Sequence, residues 1–131
     1  MRTEINFKKI VTSTSLDQLI TKVTDHLKQS GFGILTRIDF HEKMKEKLNK
    51  EMKPVVILGA CNPTLAFEAY QKNTDITSLI PCNAVIRQIS ENQYSVEFTK
   101  PSALMVALGE TELAQMAAVA DATLAKTLEQ I

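Results

Sequence analysis

The spacing of hydrophobic positions changes along this chain between a period of two and the spacing of a helix. Residues 5–13 alternate with a period of two, which predicts a half-exposed strand, whereas residues 15–30 repeat apolar side chains at helical spacing. Ser15 and Gln18 form a capping-box pattern at the start of this helix, and Gly31 supplies its end. The apolar stripe of the predicted helix consists of Leu16, Leu19, Ile20, Val23 and Leu27.

The middle of the chain repeats the same order. A strand is predicted over 32–40 and a helix with a Lys- and Glu-rich outer face over 41–52. A continuous apolar run over 54–60 predicts a strand buried on both faces. Asn62 and Pro63 suit the N-cap and first position of a third helix, which ends near Asn73. A loop is predicted over 74–82.

The last third of the chain predicts a hairpin and two helices. Alternating runs over 83–89 and 94–99 form the hairpin, a short helix runs from Pro101 to Leu108, and Glu110 and Glu112 lie in the first turn of a last, alanine-rich helix. The order is βαβαβαββα(α), which predicts one α+β domain over 1–131. Its fold would be a single mixed, mainly antiparallel sheet with helices packed mostly on one face.

Composition excludes several classes of partner. The 131 residues carry 15 basic and 15 acidic side chains, so no overall field favours nucleic acid or a membrane surface. Aromatic residues make up only 5%, which disfavours base stacking. No apolar run is long enough to span a bilayer and no secretory signal is seen. We therefore expect a soluble cytoplasmic protein whose two cysteines are thiols.

Those two cysteines are the main chemical candidates. Cys61 stands in the segment Leu58-Gly-Ala-Cys-Asn-Pro63, where a strand gives way to a helix. The positive end of a helix favours thiolate, and free amides there favour an anion. The alternative is a small buried residue in a tight turn, because free cysteine is commonly buried and inert.

Cys82 follows Pro81, whose isomer the sequence does not reveal. If the two cysteine segments converge, the thiols could form a disulfide, bind soft Cu(I) or Zn, or act as a dithiol. Their separation along the chain is not that of a zinc knuckle.

The remaining candidates are histidines and methionines. His41 follows Asp39 at a strand-to-helix junction and is either a ligand or proton shuttle or an exposed helix-start residue. Apolar stripes contain four methionines, which favours core packing over metal binding through their thioethers. These are Met44, Met52, Met105 and Met116. The sequence contains no nucleophile triad in order, Walker loop or dinucleotide-binding glycine pattern.

The chain resembles the domain-of-unknown-function 302 family. The resemblance rests on Ile38-Asp39, Leu58-Gly-Ala-Cys-Asn-Pro63, Ile80-Pro-Cys-Asn83 and Pro101, in matching order over nearly the whole chain. It implies a bacterial or archaeal domain of the TATA-binding-protein-like type, often dimeric, without implying DNA binding. It also implies that Cys61, Asn62, Pro63, Pro81 and Cys82 sit together. Val55 and Lys100 depart from the family pattern, which has an aromatic residue and an aspartate there.

Three functional hypotheses follow, none of which identifies a cofactor. The first is a non-enzymatic binding module, in which Cys61, Asn62, Pro63, Cys82 and His41 bind a soft metal or a small anionic or sulfur-containing ligand, with Cys61 and Cys82 as the metal ligands. The second is a structural or partner-binding homodimer with packing cysteines. The third is a thiol redox enzyme, in which only His41 could serve as a base for Cys61. No nucleic-acid or membrane partner is expected.

Overall fold

Strands and helices alternate in the computed structural model, which describes residues 4–110 and 112–131. The strands are β1 Asn6–Thr12, β2 Gly33–Asp39, β3 Val55–Cys61, β4 Cys82–Ser90 and β5 Gln93–Thr99. The helices are α1 Leu16–Gln29, α2 Phe40–Leu48, α3 Pro63–Lys72, α4 Pro101–Leu108 and α5 Ala114–Glu129, with a 3₁₀ helix at Thr74–Leu79. Within the described residues, no helix is both long and apolar enough to cross a membrane.

The five strands form one sheet in the order β1-β5-β4-β3-β2, and every neighbouring pair is antiparallel. This confirms the predicted α+β fold with a mainly antiparallel sheet. The hairpin of β4 and β5 supplies the centre, while β1 reaches β5 from the other end of the sequence. Such pairings between distant segments depend on packing of the whole chain and not on local pattern.

The core lies between one face of the sheet and helices α1 and α5. Val56, Leu58 and Ala60 of β3 are buried there, and Val23 and Leu27 of α1 are completely covered. Fully burying such aliphatic side chains stabilises a fold by roughly 1.5–3 kcal/mol each. On the other face of β3 Gly59 is buried but Val55, Ile57 and Cys61 are only half-buried, so the prediction that the whole strand is buried on both faces is wrong.

Helix boundaries follow their caps. The Ser15 side chain accepts a hydrogen bond from the backbone N–H of Gln18 at 3.2 Å, as the capping pattern predicted. Helix α2 ends at Leu48, earlier than predicted, because Asn49 adopts a left-handed conformation with φ 53°. The acidic residues placed in the first turn of α5 lie before it, since that helix begins at Ala114. The predicted loop over 74–82 contains the 3₁₀ helix instead.

The antiparallel order decides which chain segments meet. The end of β3, the start of β4 and the end of β5 lie at one end of the sheet, because adjacent antiparallel strands run in opposite directions. Helices α3 and α4 start from this end. The end of β2 and the start of β3 lie at the opposite end, where α2 begins.

Candidate functional site

The two cysteines meet at one end of the sheet. Cys61 ends β3 and Cys82 opens β4. In the ladder between these strands Cys82 pairs with Ala60, the residue directly before Cys61. Cys61 and Cys82 also line one cleft, and the charge of Cys61 acts on Cys82, so the two thiols are near neighbours. Both are free, half-buried thiols.

Gly59 allows the Pro81 segment to pack onto the sheet. A Cβ atom at position 59 would lie 2.6 Å from Cγ of Pro81 and would also collide with the Thr36 side chain. The Ile80–Pro81 peptide bond is cis. The small Gly59 therefore lets the proline that precedes Cys82 lie directly against β3.

Asn62 caps α3 beside Cys61. Its side-chain oxygen accepts a hydrogen bond from the N–H of Leu65 at 3.1 Å, and its backbone oxygen accepts one from Ala66 at 2.9 Å. Pro63 occupies the first turn, as predicted from the sequence. The N–H of Leu65, which the sequence suggested was free for an anion, is thus already bonded. The start of α3 therefore has fewer free N–H groups for binding an anion than the sequence predicted.

An open cleft of about 580 Å³, including solvent at its mouth, lies directly beside both thiols. Its walls come from the sheet end, α3, the 3₁₀ helix, α4 and α5. Cys61 and Cys82 are the only ionisable side chains among the described residues that line it. The other lining residues are apolar apart from Asn62: Phe32, Ala60, Leu65, Ala66, Ala69, Ile76, Ile80, Pro81, Pro101, Met105, Leu113, Met116, Ala117 and Ala120.

Burial favours the protonated form of both thiols. Removal from water raises the pKa of Cys61 above its usual value. Burial raises the pKa of Cys82 to about 11, with smaller contributions from the neighbouring Cys61 and from Asp121 of α5. A thiolate is disfavoured in such apolar surroundings because its charge is poorly solvated. Burial thus acts against the thiolate that the helix end is expected to favour at Cys61.

His41 lies away from this site. Its Nδ1 atom is 3.1 Å from both the N and the O of Val55, at the first residue of β3. Cys61 is the last residue of the same strand, roughly 20 Å further along. The structure thus separates His41 from the two cysteines, and its predicted role as a ligand or base for them is wrong.

Asp121 is a neighbour of the site that the sequence did not single out. It raises the pKa of Cys82 and accepts hydrogen bonds from Ser102 at the start of α4. The one sequence feature that could have indicated Asp121 is its position as an acidic residue in the otherwise alanine-rich first half of α5. Only the packing of α5 against α4 gives that residue a partner.

The Lys100 ammonium contacts an aromatic ring that does not line the cleft. Its Nζ atom lies 4.9 Å from the centre of the Phe7 ring, within the range of a cation–π contact. Lys100 replaces the aspartate expected from the family pattern, but it does not line the cleft and adds no charge there.

Comparison with known proteins agrees with this architecture. The family described as domain of unknown function DUF302 matches residues 8–131, and the chain belongs to that family. The fold is similar to a crystal structure of an uncharacterized conserved DUF302 protein from Bacillus stearothermophilus. That protein is 28% identical, with a TM-score of 0.87 over 97% of this chain and 98% of the other. The chain has no significant match among curated proteins.

Proposed function

We propose that this protein is a binding module whose ligand occupies the cleft and contacts the thiols of Cys61 and Cys82. The ligand class is a soft metal ion or a small sulfur-containing molecule. The observation that carries the proposal is the meeting of the only two cysteines at one end of the sheet, beside a cleft with otherwise apolar walls.

The chemistry of the walls favours soft ligands over charged ones. An anion would find no cationic side chain among the lining residues, and the N–H of Leu65 is already bonded to Asn62. An apolar wall gains free energy by covering an apolar or weakly hydrated group. Sulfur ligands bind soft metals in preference to hard ones, so Mg²⁺ and Ca²⁺ are not expected here.

The same features support binding over thiol catalysis. A nucleophilic or redox cysteine needs a lowered pKa or an adjacent base. Here burial raises the pKa of both thiols, and His41 lies at the other end of β3. At neutral pH these thiols are weak nucleophiles, whereas they can still release protons when a metal ion binds.

Titration of the ¹⁵N-labelled protein tests this proposal. The probes are Cd²⁺, as a redox-stable soft metal, and methyl phenyl sulfide, as a neutral sulfur compound. We expect at least one probe to shift the amide signals of residues 59–66 and 80–84 in ¹⁵N–¹H correlation spectra. Mg²⁺ serves as the hard-cation control.

The double variant C61S/C82S keeps the size of both side chains while removing the soft sulfur donors. We expect Cd²⁺ to leave its spectrum unchanged. If neither probe moves the cleft amides of the natural protein, the proposal is wrong.

A homodimer is the second candidate, and aliphatic side chains on the sheet face opposite the buried side chains of β3 favour it. Ile38, Ile57 and Val85 stand side by side across β2, β3 and β4 on that face. Ile38 is 44% exposed, and Ile10 on the same face is 56% exposed. Aliphatic side chains that are exposed or only half-buried on one face suit contact with a second copy.

Sedimentation equilibrium tests the homodimer. We expect a dimer that Ile57→Glu converts to a monomer, with Val119→Glu, a change at an exposed position on α5, as the matched control. A monomeric natural protein at tens of micromolar would exclude this candidate.

A further inference from the structure

Two methionines join the two cysteines in lining the cleft. Met105 comes from α4 and Met116 from α5, and both line the same cavity as Cys61 and Cys82. Met105 is buried and Met116 is half-buried. The other two methionines within the described residues, Met44 and Met52, lie on or after α2, which begins at the opposite end of the sheet. The sulfur-bearing side chains are therefore concentrated at one place.

We infer that the cleft is a Cu(I) site in which the sulfur atoms of Cys61, Cys82, Met105 and Met116 are the ligands. This inference rests on the proposed function and names the ion that the site selects. Thiolate and thioether sulfur are the soft donors that select Cu(I).

The composition of the walls distinguishes Cu(I) from zinc. Zinc sites in proteins draw on thiolate, imidazole and carboxylate ligands. Neither a histidine nor a carboxylate lines the cleft among the described residues, and no cluster of three or more His, Cys, Asp and Glu occurs in that part of the chain. Thioethers complete a Cu(I) site without adding charge, whereas methionine is not among the usual ligands of zinc sites.

Binding follows a balanced exchange of protons for metal. The two S–H bonds of Cys61 and Cys82 break, two Cu–S bonds form, and both protons pass to solvent. The copper remains Cu(I), so no oxidant or reductant takes part in the step. The thioethers of Met105 and Met116 donate lone pairs and release no proton.

The affinity should therefore rise with pH. The two thiols bind copper as thiolates, and a higher pH lowers the free-energy cost of releasing their protons. No other ionisable group lines the cleft among the described residues. While both thiols are protonated in the free protein, each bound ion displaces about two protons.

The test is anaerobic competition for Cu(I) between the full chain and bicinchoninate, with calorimetry in two buffers to count released protons. We expect one Cu(I) per chain and loss of binding in C61S/C82S. Met105→Leu and Met116→Leu conserve side-chain volume. Each should weaken Cu(I) binding and raise the Kd by about tenfold or more. Met44→Leu is the matched control and should leave the Kd unchanged. Thermal unfolding of each variant verifies that it is folded.

X-ray absorption at the copper edge gives a second readout. We expect four sulfur neighbours in the natural protein and three in either cleft methionine variant. Unchanged affinity and unchanged sulfur count in both variants would overturn the four-sulfur site. If Cd²⁺ still shifted the cleft amides, the proposed function would survive that result. If C61S/C82S bound Cu(I) as tightly as the natural protein, the Cu(I) site would be wrong regardless of the methionines.

Discussion

The carboxylate of Asp121 on α5 accepts hydrogen bonds from both the backbone N–H and the hydroxyl of Ser102, the second residue of α4. A side chain of one helix thus caps the start of another, because α4 has no side-chain cap of its own. The same carboxylate contributes to the raised pKa of Cys82. One residue therefore links the position of α4 to the electrostatics of the cleft.

Asp121→Asn and Ser102→Ala separate these two roles. Asp121→Asn removes the charge and should lower the pKa of Cys82, whereas Ser102→Ala keeps the charge and should leave that pKa high. Ser102→Ala removes one hydrogen bond and should lower the free energy of unfolding by about 1 kcal/mol. Alkylation rate against pH measures the pKa, and urea unfolding measures the stability. Equal pKa values of Cys82 in the two variants would show that the charge does not act on the thiol.

Burial of Cys82 predicts a loss of stability at alkaline pH. The folded-state pKa of about 11 exceeds the ordinary value of 9.0, so the contribution of this thiol is complete below about pH 9. Above that pH the unfolded chain loses its proton first, and the contribution disappears as the pH approaches 11. The expected loss is about 2 kcal/mol relative to Cys82→Ala.

Urea unfolding of both proteins from pH 7 to pH 11 measures this difference. The comparison cancels titration of the lysines and tyrosines that both chains share. Parallel stability curves for the two proteins would contradict a strongly raised pKa at Cys82.

Gly59→Ala should destabilise the protein and loosen the cleft. The added methyl group would collide with Pro81 and Thr36, and overpacking of this kind costs about 1–3 kcal/mol. Displacement of Pro81 should also make Cys82 react faster with iodoacetamide. Gly33→Ala is the matched control, since no atom lies within 4 Å of its added Cβ. Similar unfolding free energies and alkylation rates for the two variants would contradict the close packing of Pro81 on β3.

Asn62 should stabilise α3 through its side-chain cap. Asn62→Ala leaves the N–H of Leu65 without its partner and should cost about 1 kcal/mol. Asn62→Asp keeps an acceptor oxygen and should retain most of the stability. Its added negative charge should raise the pKa of Cys61 further. Chemical unfolding and the alkylation profile of Cys61 measure the two effects, and equal stability of the Ala and Asp variants would exclude a capping role.

Local structure was largely predictable from the sequence, whereas the site was only partly so. The caps at Ser15 and Asn62 act within a few residues, so the pattern reveals them. The pairing of Cys82 with Ala60 depends on strand register. The sequence alone did not determine that register, and the family resemblance supplied the expectation that the two cysteine segments meet.

The errors have a common physical cause. The sequence does not show the relative direction of β2 and β3, and their antiparallel pairing places His41 at the end of β3 opposite Cys61. Met105 and Met116 lie on apolar stripes, and such a stripe is equally consistent with residues that pack in the core and with residues that line a cleft. Only the crossing of α4 and α5 over the sheet end distinguishes the two.

The most direct test of the central claim, that Cys61 and Cys82 form one site, uses phenylarsine oxide, which bridges two neighbouring thiols with release of one water. Intact-mass spectrometry of the reduced protein should show one stable adduct per chain that protects both cysteines from later alkylation. C61S and C82S should form no stable adduct. The account would be contradicted if the natural protein formed no bridged adduct. It would also be contradicted if both cysteines were alkylated as fast after phenylarsine oxide treatment as before it.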